Sequence, residues 1–394
     1  MIESITIRNF KSLANVTIKL DKFNCLVGMN GTGKSTILQA MDFLSQQMHG
    51  FLYLWMENRG WESKDLYSRT GDFRASSRGI FFIVKYRLND GGRIKWSGNL
   101  NRSSMRLTRE RVELEGETML EVSEGKYTLD DQTPHEIAFE YRGSILSSLK
   151  ESLLYDELVE FRDAIRNIRS LELLSPHLLR KRSRSQDKDI GTGGEKLSGF
   201  LATIKGKSKD RLLHLLQKFY PQLHDFKIAT VKGGWKRLVV SEAHLVASGP
   251  KMGKAAYFDT EAIQLNDGLL RILAILAQAE VGKTSLLLLD EIENGINPEI
   301  VENLVDTLVN SPMQIIVTSH SPMILNYLSD SVAREAVQFI YKNPYGQTRV
   351  RRFFDIPRIG KKLNYMGAGE AFVDTNLQDL SLECVEQDKA EDEL

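Results

Sequence analysis

The chain has 394 residues, 42% of them hydrophobic, which is enough for two domains or one large one around a sizeable core and excludes a small stapled scaffold. Its 52 Lys and Arg balance 52 Asp and Glu to a formal net charge of zero, so a histone-like or tail-driven binder is excluded and any pull on nucleic acid must come from local patches. The two cysteines, Cys25 and Cys384, stand near opposite ends, which excludes a disulfide framework or a cysteine-based zinc site and makes a reducing cytoplasm the expected compartment.

The start, Met1 to Arg8, alternates polar and apolar residues as a strand does and lacks the layout of a signal peptide. No apolar run reaches the length of a membrane span, so no membrane partner is expected. Short strands are predicted at Ile2 to Ile7, Val16 to Ile18 and Phe23 to Val27, the last running through a glycine-rich turn into a helix from Lys34 to Gln47. From Ile80 to Tyr141, alternating stretches separated by turn signals such as Asn89-Asp-Gly-Gly92 predict an antiparallel meander. Leu154, Leu158, Phe161, Ile165 and Ile168 recur at helical spacing, too briefly for a coiled-coil arm, and predict a helix face packed on the core.

Residues 180 to 207 are polar, glycine-bearing and basic, and are expected to be the mobile segment. A helix at Asp210 to Tyr220 and a strand pair turning near Lys232-Gly-Gly234 lead back to a βα pattern. That pattern has a helix at Asp267 to Glu280, a strand at Ser285 to Leu289, a helix at Pro298 to Val309 and a strand at Gln314 to Thr318. A strand pair, Ala336 to Tyr341 and Thr348 to Phe353, follows. The last dozen residues carry six acids against Lys389 alone and are expected to form a frayed, solvated tail.

Gly28-Met-Asn-Gly-Thr-Gly-Lys-Ser35 fits G-x-x-x-x-G-K-[ST] and sits between a predicted strand and a predicted helix, as a phosphate-binding loop must. Gly28, Asn30, Gly31 and Gly33 let backbone N–H groups turn toward phosphates, Lys34 reaches the β- and γ-phosphates of ATP, and Ser35, followed by Thr36, offers its hydroxyl to Mg²⁺. The leucine run 286–289 delivers Asp290 and Glu291 at a strand end, where open α/β sheets bind ligands. Asp290 is placed to hold Mg²⁺ and Glu291 to polarise the attacking water as general base. His320, at the mouth of the strand Gln314 to Thr318, is a candidate γ-phosphate sensor.

The order of these motifs resembles the ABC-type ATPases of the SMC, RecF and OLD group over most of the chain. Ile7-Arg-Asn-Phe-Lys-Ser12 resembles that group's opening strand and turn, and Leu265-Asn-Asp-Gly-Leu-Leu-Arg271 its signature motif. Asp290-Glu-Ile-Glu-Asn-Gly-Ile-Asn-Pro298 resembles its Walker B and D-loop, and Thr318-Ser-His-Ser-Pro322 its switch histidine. Ile190-Gly-Thr-Gly-Gly-Glu-Lys-Leu197 and Met366-Gly-Ala-Gly-Glu370 are similar to segments of compact bacterial OLD-like ATPases of anti-phage systems such as the PARIS or Septu type, without a nuclease domain. The signature departs from the usual pattern in carrying Asn266 where Ser is common, and no glutamine stands out as a Q-loop.

The resemblance implies an ABC-type P-loop ATPase core of α/β class with an antiparallel β lobe and an inserted helical, basic segment. Its expected divisions are 1–80 and 225–382 for the core, 81–141 for the meander, 142–224 for the insertion and 383–394 for the tail. Asn266, Asp267 and Gly268, at a helix N-terminus, would face the γ-phosphate held by a second subunit, so that ATP joins a homodimer or a higher homo-oligomer. The expected function is a sensor or scaffold subunit that controls a separate effector protein in anti-phage defence. The alternative is a RecF-like DNA clamp in repair with a slow ATPase as timer. DNA contact would run through residues 180–211, which hold ten Lys and Arg against four acids.

Overall fold

The computed structural model describes residues 1–68, 79–130, 133–184, 189–246 and 253–392. In chain order, β1 (Ile2–Phe10), β2 (Leu13–Lys19) and β3 (Phe23–Val27) come first, followed by α1 (Lys34–His49) and α2 (Leu52–Asn58). Next are β4 (Gly79–Arg87), β5 (Arg93–Asn101), β6 (Arg106–Leu114), β7 (Glu117–Ser123), β8 (Lys126–Leu129), β9 (His135–Glu136) and α3 (Asp156–Arg166). The middle holds β10 (Ile168–Leu171), α4 (Pro176–Leu179), α5 (Leu197–Leu201), α6 (Lys207–Phe219), β11 (Leu223–Thr230), β12 (Lys236–Leu245) and β13 (Ala255–Glu261). It continues with α7 (Asp267–Val281), β14 (Leu286–Leu289) and α8 (Pro298–Val309). Last come β15 (Gln314–Thr318), α9 (Pro322–Asn326), α10 (Asp330–Ala336), β16 (Val337–Lys342), β17 (Thr348–Arg352), α11 (Pro357–Gly360), α12 (Ala368–Val373) and α13 (Leu377–Asp392).

The chain forms two compact units, one of Met1–Arg169 with Gln314–Leu394 and the other of Ser170–Met313. The expected 142–224 insertion is thus divided between them.

In the first unit an antiparallel sheet runs β2-β1-β4-β5-β6-β7-β8-β9. Alternation decides which face is buried: Ile80, Phe82, Val84 and Tyr86 of β4 point inward while their neighbours are more exposed. Helix α1 packs there through Phe43, whose ring lies 5.6 Å from Phe10, 5.2 Å from Trp55 and 6.3 Å from Phe82. Helix α3 sets Phe161 against Tyr86 and Trp96. Strands β15, β3, β16 and β17 lie side by side, β3 parallel to both neighbours and β17 antiparallel to β16. Every residue of β3 is buried, which is why all of them but Asn24 are apolar.

In the second unit β11, β12 and β13 make an antiparallel sheet, and α6 packs on both β11 and α7. Helix α7 is buried without interruption from Gly268 to Gln278, and all four leucines of β14 are buried.

Three expectations are corrected here. The basic segment after Arg180 is anchored rather than loose: Arg180 donates to Leu265 O at 2.7 Å and to the Asp267 carboxylate, Ser183 pairs with Lys236, Ile190 is buried, and α5 is buried throughout. Residues 185–188 of that segment lie outside the described residues. The acidic tail is helical as far as Asp392: within α13, Leu380 and Cys384 are fully buried, and Asp388 accepts hydrogen bonds from Tyr341 and Arg351, while residues 393–394 lie outside the described residues. The helix covers only Asp156–Arg166 of the expected stripe, so Leu154 is buried in extended chain before it and Ile168 as a strand residue of β10. Among the described residues no helix is long and apolar enough to cross a membrane.

Candidate nucleotide site

The phosphate loop spans the gap between β3 and α1 in the first unit. Gly28 and Gly33 have φ of 149° and 111°, values that an L side chain rarely adopts. A Cβ on Gly28 would also collide with the Ile340 carbonyl of β16, and one on Gly33 with the Thr348 hydroxyl of β17. Glycine is therefore required twice over, by dihedral angle and by space. The buried Lys34 opens α1, its Nζ donating to Gly28 O at 2.8 Å and to Met29 O at 3.0 Å, which draws the loop around the ammonium. Asn30, Gly31 and Ser35 are exposed, and Thr36 is half-buried in the first turn of α1.

His320 belongs to the same unit. Strand β15 runs parallel to β3 with Thr318 opposite Leu26, so the chain carries His320 out at the end of the sheet where the phosphate loop emerges. Ser319 N donates to Leu26 O at 3.2 Å, tying the two exits together, and the His320 side chain is exposed.

Asn266, Asp267, Gly268, Asp290 and Glu291 gather in the second unit. Asn266 caps α7, its Oδ1 accepting from Leu269 N at 2.7 Å. That bond commits the oxygen of the amide and leaves its NH₂ group as a donor at the helix N-terminus. Asp267 would oppose an anion at that terminus, and Arg180 offsets its charge through their salt bridge. Asp290 follows β14 and donates its backbone N–H to Leu171 O at 3.4 Å. Glu291 sits at φ 49°, in the left-handed region where a glutamate is uncommon.

Arg271 holds that turn from α7. Its Nη1 donates to Asn294 O and its Nη2 to Glu291 O at 3.2 Å, while Nε has no hydrogen-bond partner. Burial pushes the guanidinium pKa down, with Glu291 and Glu293 acting against that shift. A Cβ on Gly268 would lie 3.3 Å from Gly295 O, so the start of α7 and the turn after β14 are in close approach. Sequence reasoning placed Arg271 at the end of the signature motif but gave it no role, although the signal was present: an arginine between Leu270 and Ile272 in an apolar helix must find buried acceptors. It also missed Thr348, which carries no motif.

A glycine-rich loop between a buried strand and a helix, a helix-capping signature and an Asp-Glu pair after an all-leucine strand define an ABC-type P-loop ATPase fold. Residues 23–326 match the family described as "AAA domain, putative AbiEii toxin, Type IV TA system", and the chain belongs to it. The fold is similar to the SMC head crystallised bound to the C-winged helix domain of ScpA, with a TM-score of 0.55 and 14% identity over 89% of this chain and 96% of that one. It is also similar to the SMC head with an extended coiled coil bound to the C-terminal domain of ScpA from Pyrococcus furiosus, with a TM-score of 0.51 and 13% identity over 92% and 99% of the two chains. No curated protein matches the chain. The family and the fold support a nucleotide-binding ATPase.

Proposed function

We propose that the chain binds and hydrolyses ATP with Mg²⁺, forms a homodimer or larger homo-oligomer around the nucleotide, and serves as the sensor or scaffold for a separate effector in anti-phage defence. The observation that carries the ATP reading is the phosphate loop, with two glycines in conformations closed to other residues and the Lys34 ammonium drawn into its curl. Lys34 supplies counter-charge to the phosphates, and the loop N–H groups and the α1 N-terminus orient them.

The donor set suits Mg²⁺, a hard cation that takes one or two carboxylates with phosphate oxygens. The Ser35 hydroxyl and the Asp290 carboxylate are each the kind of oxygen donor it takes, and when bound it would neutralise charge on the phosphates. Glu291 accepts the proton of the attacking water, His320 contacts the γ-phosphate, and Asn266, Asp267 and Gly268 present the α7 N-terminus to the nucleotide of the partner subunit. The free NH₂ of Asn266 and the neutralisation of Asp267 by Arg180 support that last role.

Lys34→Ala tests the reading: titration with ATP should give no binding, because the cradle loses its main counter-charge. Affinity equal to that of the unaltered protein would overturn it.

A second reading, a DNA clamp with a slow ATPase, is favoured by one surface of the second unit. Arg182, Lys232 and Trp235 line an open cavity of about 530 Å³, with Lys181 and Arg184 exposed close by in sequence. Cations beside an exposed aromatic are the usual means of holding nucleic acid by phosphate contact and base stacking. Because Arg180 is committed to Asp267, the appropriate variant reverses Lys181, Arg182 and Lys232 only. It should weaken DNA binding and flatten its salt dependence, and an unchanged salt slope would remove DNA from this surface.

A further inference from the structure

Thr348, the first residue of β17, lies more than three hundred positions from the phosphate loop in sequence and is 1% exposed. Its Oγ1 donates to Thr32 O at 2.7 Å, in the middle of the loop. A threonine hydroxyl has a single hydrogen, so that donation leaves it an acceptor toward Ser12 Oγ, 2.8 Å away. The Thr348 backbone N–H donates to Ser12 O at 2.9 Å, which fixes the start of the strand against the turn between β1 and β2. The whole arrangement belongs to the first unit.

We propose that Thr348 is a positioning residue for nucleotide binding, acting through the peptide plane between Thr32 and Gly33. This inference rests on the reading of residues 28–35 as an ATP phosphate loop. The carbonyl of Thr32 and the N–H of Gly33 belong to one planar trans peptide group and point in opposite directions. Drawing the carbonyl toward β17 therefore aims the Gly33 N–H away from β17, toward the hollow that faces phosphate. Gly33 has no side chain to resist rotation of that plane, and its φ of 111° is held from outside rather than by its own preference. The same contact explains why Gly33 admits no Cβ, since the space is taken by the Thr348 hydroxyl. Thr32 adds a second restraint, its own hydroxyl donating to Met29 O at 2.9 Å. The loop is thus set from within by Thr32 and from without by Thr348, and only the second restraint comes from another strand.

Thr348→Val keeps the shape and β-branching of the side chain but removes the donor, while Thr348→Ser keeps the donor. MgATP titration of both variants, of Thr348→Ala and of Lys34→Ala, paired with amide hydrogen exchange over residues 28–35, separates the outcomes. Thr348→Val and Thr348→Ala should weaken affinity about tenfold, the loss expected for one misdirected hydrogen bond. Both should speed exchange in the loop, and Thr348→Ser should restore both properties. A merely structural hydroxyl would lower the melting temperature and leave affinity unmoved. Unaltered affinity in Thr348→Val and Thr348→Ala, beside lost affinity in Lys34→Ala, overturns the role of Thr348 alone. Retained affinity in Lys34→Ala overturns the phosphate-loop reading and this inference with it.

Discussion

Arg271 holds Glu291 by its main chain, donating from the interior of α7 to the carbonyl of a glutamate whose backbone sits in the left-handed region. The same guanidinium also binds Asn294 O, so one buried cation spans the turn that follows β14. Strain of this kind persists only where the surroundings over-determine it.

Arg271→Met is therefore expected to release the turn. It leaves the Glu291 and Asn294 carbonyls without this donor, at about 1–3 kcal/mol for a buried unsatisfied group. ATPase turnover should fall at least tenfold while ATP affinity changes little, because the phosphate loop belongs to the other unit. Steady-state kinetics beside equilibrium titration checks this, and an unchanged kcat would detach Arg271 from catalysis.

Glu291→Gln should bind ATP but turn it over slowly, since an amide can hydrogen-bond water without accepting its proton. If ATP joins two subunits, the variant should accumulate as ATP-held dimers in size-exclusion chromatography with light scattering. Turnover at the rate of the unaltered protein would place the base elsewhere.

What the sequence made legible was local. The phosphate loop could be read because glycine conformations and the lysine act within eight residues, and β3 and β14 because they are buried on both sides. Asn266 could be placed at a helix N-terminus because the start of a helix is decided within one turn. Thr348 was hidden because its partner lies on a distant segment and a threonine in a strand is ordinary. The acids of α13 masked a helical spacing of apolar residues at Leu377, Leu380 and Cys384, and the basic charges after Arg180 masked partners such as Asp267 and Lys236.

Glu110 should set a pH slope on stability. It is wholly buried on β6, accepting from Trp96 Nε1 at 2.8 Å, from Ile145 N at 2.9 Å and from the Ser144 hydroxyl. Burial raises its pKa, and these hydrogen bonds only partly oppose the rise. In the window above the unfolded-state value of 4.5 the folded chain holds more protons than the unfolded one, so stability falls as pH rises toward the folded value. Glu110→Gln cannot titrate and should lose this slope. Melting temperatures of both proteins between about pH 4.5 and 7 check it, and parallel curves would refute it.

Removal of residues 377–394 should destabilise the first unit rather than trim a solvated end. It strips away the fully buried Leu380 and Cys384, each worth on the order of 1–3 kcal/mol. It also takes Asp388 from Arg351, 2.7 Å away, and from the Tyr341 hydroxyl, whose pKa is raised by burial and by that carboxylate. A melting temperature several degrees lower is expected for the truncated chain, with a smaller loss for Asp388→Asn. An unchanged melting temperature would return the segment to the status of a tail.

A site shared between subunits predicts complementation between two inactive proteins. Lys34→Ala disables the phosphate loop, and Asp267→Arg places a bulky cation at the start of α7 where Arg180 already stands, so neither homodimer has a complete site. In a mixed dimer, one interface combines the intact loop of the second protein with the intact signature of the first, while the other combines both defects. Random pairing makes about half of the dimers mixed, each with one of two sites working, so roughly a quarter of the activity should return. The Asp267→Arg protein must still bind ATP when alone, because its own phosphate loop is untouched. Mixed dimers confirmed by differential tagging that hydrolyse no ATP would mean that each chain carries a self-contained site.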